Sequence, residues 1–177
     1  MVGGWLLDDG PFGVLAREVP AGQLTSIPAG TFLLARATAD AASQDQLGLR
    51  PAALRAVAGD GSPVFRVVDV TVNSVAGAIL YRHLRSNYQG TADLGEHEAI
   101  AWLLAEASAV QLVTSDKLAA FLALSELGPG RVCHPYDVWY GLHDGGYVDT
   151  EVLARLVARS GKQDPSIPSP PYRFRQP

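Results

Sequence analysis

Short apolar runs separated by stretches of helical spacing constrain this chain more than any other feature. Residues 2–7, 31–35, 64–72 and 110–114 are such runs, and 131–133 offers one more. The 64–72 run carries Phe65, Val67, Val68, Val70 and Thr71, aromatic and β-branched types that suit a pleated surface. Between the runs, apolar residues recur at intervals of three and four. That spacing predicts helices over 12–19, 37–46, 51–58, 117–127, 136–142 and 151–159. Two further helices are expected, one capped by Ser74 with an Ile79, Leu80, His83, Leu84 stripe, and one from Glu96 to near Ser108. Turn residues punctuate the pattern at Asp8-Asp9-Gly10-Pro11, Pro28-Ala29-Gly30 and Gly128-Pro129-Gly130. Strands alternating with helices of about ten residues predict an α/β fold, with a mostly parallel central sheet flanked by helices on both faces.

The 177 residues suffice for one core, so a single domain is expected over 1–160. Residues 161–177 hold Pro165, Pro168, Pro170 and Pro171, which oppose both helix and sheet; an extended arm or disordered tail is expected there, with Tyr172 and Phe174 available as anchors. A net charge of −4 argues against a broad basic nucleic-acid groove, while leaving open an enzyme that meets a phosphodiester through metal ions. The single cysteine, Cys133, permits neither an internal disulfide nor a cysteine-rich zinc site. No apolar stretch reaches membrane-spanning length and no secretory signal opens the chain, so no membrane association and a cytoplasmic location are expected.

Glu96 stands out chemically. Together with Ile100, Leu103, Leu104 and Ala107 it falls on one stripe of a predicted helix, so a carboxylate is expected to face the interior. In open parallel sheets ligands bind at the carboxyl edge of the strands. Asp8 after the first run and Asp116 after the 110–114 run fall at that edge, and Glu96 opens its helix. Gathered carboxylates repel unless a cation compensates them, and oxygen-only ligands favour Mg²⁺ or Mn²⁺. The chemistry such a group supports is hydrolysis of a phosphate ester. Purely local roles compete: Asp93 and Glu96 form a capping box, Asp8 or Asp9 caps the helix entered through Pro11, and Asp116 caps the helix after it. His83, His97, His134 and His143 lack metal-ligand spacing and read as surface or packing residues, and Ser115 has no recognisable histidine base. Trp102 reads as a core or subunit-interface residue, Trp139 as packing an end helix against the sheet, and Cys133 as buried and inert.

In order along the chain, these signals resemble a PIN-domain protein, the metal-dependent nuclease fold of many prokaryotic toxins. Leu6-Leu7-Asp8-Asp9-Gly10-Pro11-Phe12 resembles the family's first strand and its acid. Leu94-Gly95-Glu96-His97-Glu98-Ala99-Ile100 resembles the subgroup with a Gly-Glu-x-Glu-Ala-Ile signature, and Leu112-Val113-Thr114-Ser115-Asp116-Lys117 the late strand with its acidic cluster. Gly145-Gly146-Tyr147-Val148 is similar to the terminal glycine turn, so the likeness spans roughly 4–157. It implies a PIN-like three-layer architecture and an endoribonuclease in which Asp8, Glu96 and Asp116 bind Mg²⁺ or Mn²⁺ and position water against RNA. A fourth acidic ligand is implied early in the chain; Asp40 stands nearest to that place, with Asp45 as substitute. The late cluster departs from the pattern, with Ser115 where many relatives carry a second acid and Lys117 where an arginine often follows. The resemblance also implies a cognate antitoxin protein as partner and a homodimer formed through helices. Two other classes compete: a noncatalytic PIN-like interaction module with a degenerate acidic site, and another phosphoesterase or response-regulator-like domain.

Overall fold

The computed structural model describes residues 4–88, 94–106 and 109–161. Five strands form one sheet: β1 (Trp5–Leu7), β2 (Phe32–Ala35), β3 (Phe65–Val68), β4 (Gln111–Val113) and β5 (Val132–Cys133). Their order is β3-β2-β1-β4-β5 and every pairing is parallel. The chain builds outward from β1 to β3, then crosses to the other side of β1 for β4. The direction of winding therefore reverses between β1 and β4.

Helices cover both faces. Successive strand residues point to opposite sides, so Leu7, Phe32, Leu34, Phe65, Val113 and Cys133 enter one core while Leu6, Leu33, Ala35, Leu112 and Val132 enter the other. The first core is closed by α1 (Asp9–Glu18), α3 (Arg36–Ser43), α4 (Leu49–Leu54), α9 (Pro135–Asp144) and α10 (Thr150–Arg159). The second is closed by α5 (Val70–Asn73), α6 (Val75–Asn87), α7 (Leu94–Glu106) and α8 (Lys117–Leu127). A short α2 (Ala21–Leu24) links the first helix to β2. Trp139, Phe12, Phe32 and Leu15 are among the fully buried side chains, each contributing roughly 1.5–3 kcal/mol through burial. The α/β class, the parallel sheet and the two helical layers are those expected.

Several local expectations change. The 64–72 run is not one strand: the strand stops at Val68 and Val70–Asn73 turns helical. Asp69 causes the break, since its Oδ1 accepts from Thr71 N at 3.0 Å, Val72 N at 3.2 Å and the Thr71 hydroxyl at 2.7 Å. A carboxylate cap thus outweighs the β propensity of Val70, Thr71 and Val72. Helix α1 begins at Asp9 rather than Phe12 because Asp8 caps it, and α4 ends at Leu54, before Val57 pairs with Pro63 in an antiparallel bridge.

On α6 the inward residues are Gly77 and Leu84, while Ile79 and His83 are exposed. The helix pivots about Gly77, where a Cβ would lie 2.5 Å from Val70 Cγ2; close approach to α5 sets which stripe is buried. Helix α7 carries no narrow stripe either. It is buried without interruption from Gly95 to Leu103 by neighbours on all sides, whereas Leu104 is exposed. Ala107, the capping-box residue Asp93 and residues 162–177 of the expected tail lie outside the described residues. Among those described, no helix is long and apolar enough to cross a membrane.

Candidate functional site

The reversal between β1 and β4 is a topological switch point, and outside the carboxyl ends of strands at such a point open α/β sheets bind ligands. Asp8 follows β1 directly and is buried. Its Oδ1 accepts from Asp9 N at 2.7 Å at the start of α1, and its Oδ2 accepts from the Thr114 hydroxyl at 2.8 Å. Thr114 Oγ1 in turn accepts from Asp116 N at 3.0 Å. Asp8 N also donates to Val113 O at 3.0 Å. A threonine at the end of β4 therefore bonds both the Asp8 carboxylate and the backbone amide of Asp116.

Asp116 is exposed and caps α8 through Oδ1, which accepts from Leu118 N at 2.7 Å and Ala119 N at 3.0 Å. Its Oδ2 takes no part in these bonds. The first turn of α1 closes over the adjoining loop, where a Cβ at Gly10 would lie 3.8 Å from Ser115 Oγ. Glu96 is buried in the first turn of α7, and the residue before it, Gly95, shares a cleft of about 280 Å³ with Asp9, Ala37, Thr38, Ala41 and Leu94. The fold thus carries the start of α7 to the start of α1. Asp40 is exposed on α3, beside the cleft-lining Ala41, and Asp45 is engaged elsewhere by the backbone amides of Leu47 and Arg50, which help to hold its pKa down.

Glu98, two residues beyond Glu96, has a different employment. It accepts from Ala37 N at 2.8 Å. Burial pushes its carboxyl up, and the backbone amides of Ala37, Val70 and Arg36 pull it back. Those amides open α3 and α5, and the residue before α3, Ala35, has no side chain able to cap. Glu98 supplies the missing cap from another helix. Beside it, Asp69 is lowered by the Thr71 hydroxyl first, with the amides of Val72 and Thr71 and nearby Arg36 adding to the effect.

Three groups escaped the sequence reading. Thr114 was given no site role, because its part depends on Asp8, 106 positions away. His134 was read as a surface or packing residue; it is fully buried, and because Leu7, Val113 and Cys133 are register partners, Asp8, Thr114 and His134 follow them along one row. His134 caps α9 by accepting from Tyr136 N, and Asp137 is buried one turn later. His97 is packed within the fold, its Nδ1 3.1 Å from Arg85 Nη1.

The third group is an arginine. Arg50 of α4 reaches Asp9: Nη2 donates to Oδ2 at 3.1 Å, and Nη1 stands 2.8 Å from Oδ1 without hydrogen-bond alignment. The guanidinium lies against α1 at Gly13, where a Cβ would come within 2.7 Å of Nη2. A glycine inside a helix costs roughly 0.5–1 kcal/mol relative to alanine. A partly exposed ion pair returns about 0–1 kcal/mol; with Asp9 at 43% and Arg50 at 22% side-chain exposure, the arrangement nets close to nothing as a stability device.

Hard carboxylate oxygens suit Mg²⁺ or Mn²⁺. Among the described residues no cluster of three or more His, Cys, Asp or Glu side chains is placed to enclose a metal ion. Mg²⁺ commonly takes only one or two carboxylates and completes its shell with water and substrate phosphate, and Asp8 and Asp116 are the carboxylates that follow β1 and β4. No family model, curated protein or solved structure matches the chain.

Proposed function

We propose that the chain is a Mg²⁺- or Mn²⁺-dependent endoribonuclease of the PIN-domain kind, acting in a toxin–antitoxin pair. The observation that supports this most is the Asp8–Thr114–Asp116 chain of hydrogen bonds at the point where the sheet reverses its winding. Asp8 and Asp116 would hold the ion, with Glu96 buried next to the cleft-lining Gly95. When bound, the ion supplies charge neutralisation at a phosphodiester and a more acidic water. Thr114 keeps the Asp8 carboxylate in one orientation by donating to Oδ2. The α8 amides orient Asp116 through Oδ1, leaving Oδ2 to accept a proton from attacking water. The negative rim also gives an antitoxin with a basic segment a complementary place to bind.

A noncatalytic PIN-like module is the second reading, favoured by the absence of a three-acid cluster among the described residues. One substitution and one titration separate the two. Asparagine caps helices about as well as aspartate, so Asp116→Asn keeps the fold while removing the charge. Metal-dependent cleavage of single-stranded RNA is expected to fall about 10²–10³-fold, at unchanged urea midpoint. Unchanged turnover removes Asp116 from the mechanism, and calorimetry that detects no Mg²⁺ or Mn²⁺ binding by the wild-type chain favours the module.

A further inference from the structure

We infer that Arg50 is a phosphate-contact residue of this site, meeting the backbone of a single-stranded RNA beside the bond that is cut. The inference rests on the nuclease reading above and adds a substrate-binding group to it. Its starting point is a cation where helix stability does not call for one. Asp9 is the first residue of α1, and the positive end of a helix favours anions. Arg50 nevertheless points its guanidinium there, and α1 leaves room for it with Gly13 in mid-helix. Since the ion pair with Asp9 returns about what the glycine forfeits, stability alone does not account for the pair.

Position accounts for it better. Asp9 lines the cleft that also meets the start of α7, so Arg50 sits one side chain away from the path of a ligand. At about 280 Å³ the cleft lies just under the usual range for small-ligand sites, enough for an unstacked nucleoside and too small for a duplex. Its walls are Ala37, Thr38, Ala41 and Gly95, small residues that let a flat base approach, and half-exposed Leu94 offers apolar contact at the lip. A strand with one base there must carry its phosphates past Asp8 and Asp9, a stretch of negative charge that repels them. Arg50 offsets that repulsion. Its Nη2 donates to Asp9, its Nη1 stands 2.8 Å from Asp9 Oδ1 and its Nε edge lies against Gly13, which leaves the Nη1 hydrogen turned away from Asp9. The second hydrogen of Nη1 is the donor that a phosphate oxygen can take in one charge-assisted bond.

The test is equilibrium binding of a labelled single-stranded RNA 12-mer to the full chain carrying Asp116→Asn, so that the probe survives, measured from about 50 to 200 mM salt. Adding Arg50→Ala is expected to weaken binding about tenfold, and to flatten the slope of log affinity against log salt by about 0.7, the value of one phosphate contact on a single strand. A merely structural arginine does not move that slope. Gly13→Ala keeps the charge and suits a helix, yet displaces the guanidinium; a smaller loss of affinity in the same direction is expected. Affinity and slope unchanged in both variants, while the parent binds, overturn the role of Arg50 and leave the nuclease reading standing. A parent that does not bind RNA, together with a wild-type chain that does not cleave it, overturns both.

Discussion

At the β2–β3 end of the rim, Glu98 and Asp69 bond to the amides that open α3 and α5; at the β1–β4 end, Asp8 shares its oxygens between an amide and the hydroxyl of Thr114. Both ends place acids where strands give way to helices, and both satisfy orphan amides. The difference lies in what else is bonded. Glu98 and Asp69 are caps for helices whose starts would otherwise be bare, whereas Thr114 links Asp8 to Asp116 across two strands that no helix cap requires to be joined. An acid at a strand end is therefore not a site in itself. A bond between two acids' supports, at the reversal of the sheet, is what distinguishes one end from the other.

The sharpest way to break this comparison is Thr114→Val, which keeps the shape and deletes the hydroxyl. Loss of a group that orients a metal ligand typically costs 10–100-fold in metal affinity or activity, so metal-dependent cleavage is expected to fall by that much. Equal cleavage by the variant places the two ends of the rim on the same footing. Next in size is Glu98→Ala, expected to destabilise by about 1–3 kcal/mol in urea denaturation because buried amides lose their acceptor. Glu98→Gln retains an acceptor and removes a buried charge, so it is expected to match or exceed wild-type stability at neutral pH. A loss of cleavage by Glu98→Gln at unchanged stability moves Glu98 from cap to site.

The same residue sets a pH dependence. Its folded pKa is raised above the ordinary 4.5, so between those two values the folded state binds more protons than the unfolded one. This contribution to stability is complete below 4.5 and is lost as pH rises through the raised value. Wild type minus Glu98→Gln, followed by urea midpoints over that window, is expected to show that slope; a flat difference assigns no pH dependence to Glu98. The smallest effect is expected from Asp40→Asn: exposed on α3, it is expected to change stability by no more than about 0.5 kcal/mol. Its cleavage assay carries the information, since a large drop establishes Asp40 as the early acidic ligand and unchanged cleavage removes it.

The alternation of runs such as Phe32–Ala35 and Gln111–Val113 with helical spacing carried the fold class, because side-chain period and burial are local properties of a strand. It failed over 64–72, where propensity sees seven β-formers but not the carboxylate of Asp69 that caps the turn. It failed again on α7, where an intervals-of-three reading assumes one buried face and the helix is enclosed on all sides through Leu103. At the site, Asp8 and Asp116 were legible as acids after apolar runs. Thr114, His134 and Arg50 were not, since their parts depend on the partners they meet: Thr114 lies 106 positions from Asp8, and Arg50 lies 41 from Asp9.

The amino-acid sequence by itself determined the kinds of element, the charges available and the places where acids interrupt apolar runs, because each follows from neighbours within a few residues. Tertiary structure alone decided the strand order, and with it the reversal between β1 and β4. That reversal turns two separate strand ends into adjacent ones. It also decided that Glu98 caps while Asp8 is shared, since a carboxylate's role is set by the donors within about 3 Å of it, and those come from distant parts of the chain.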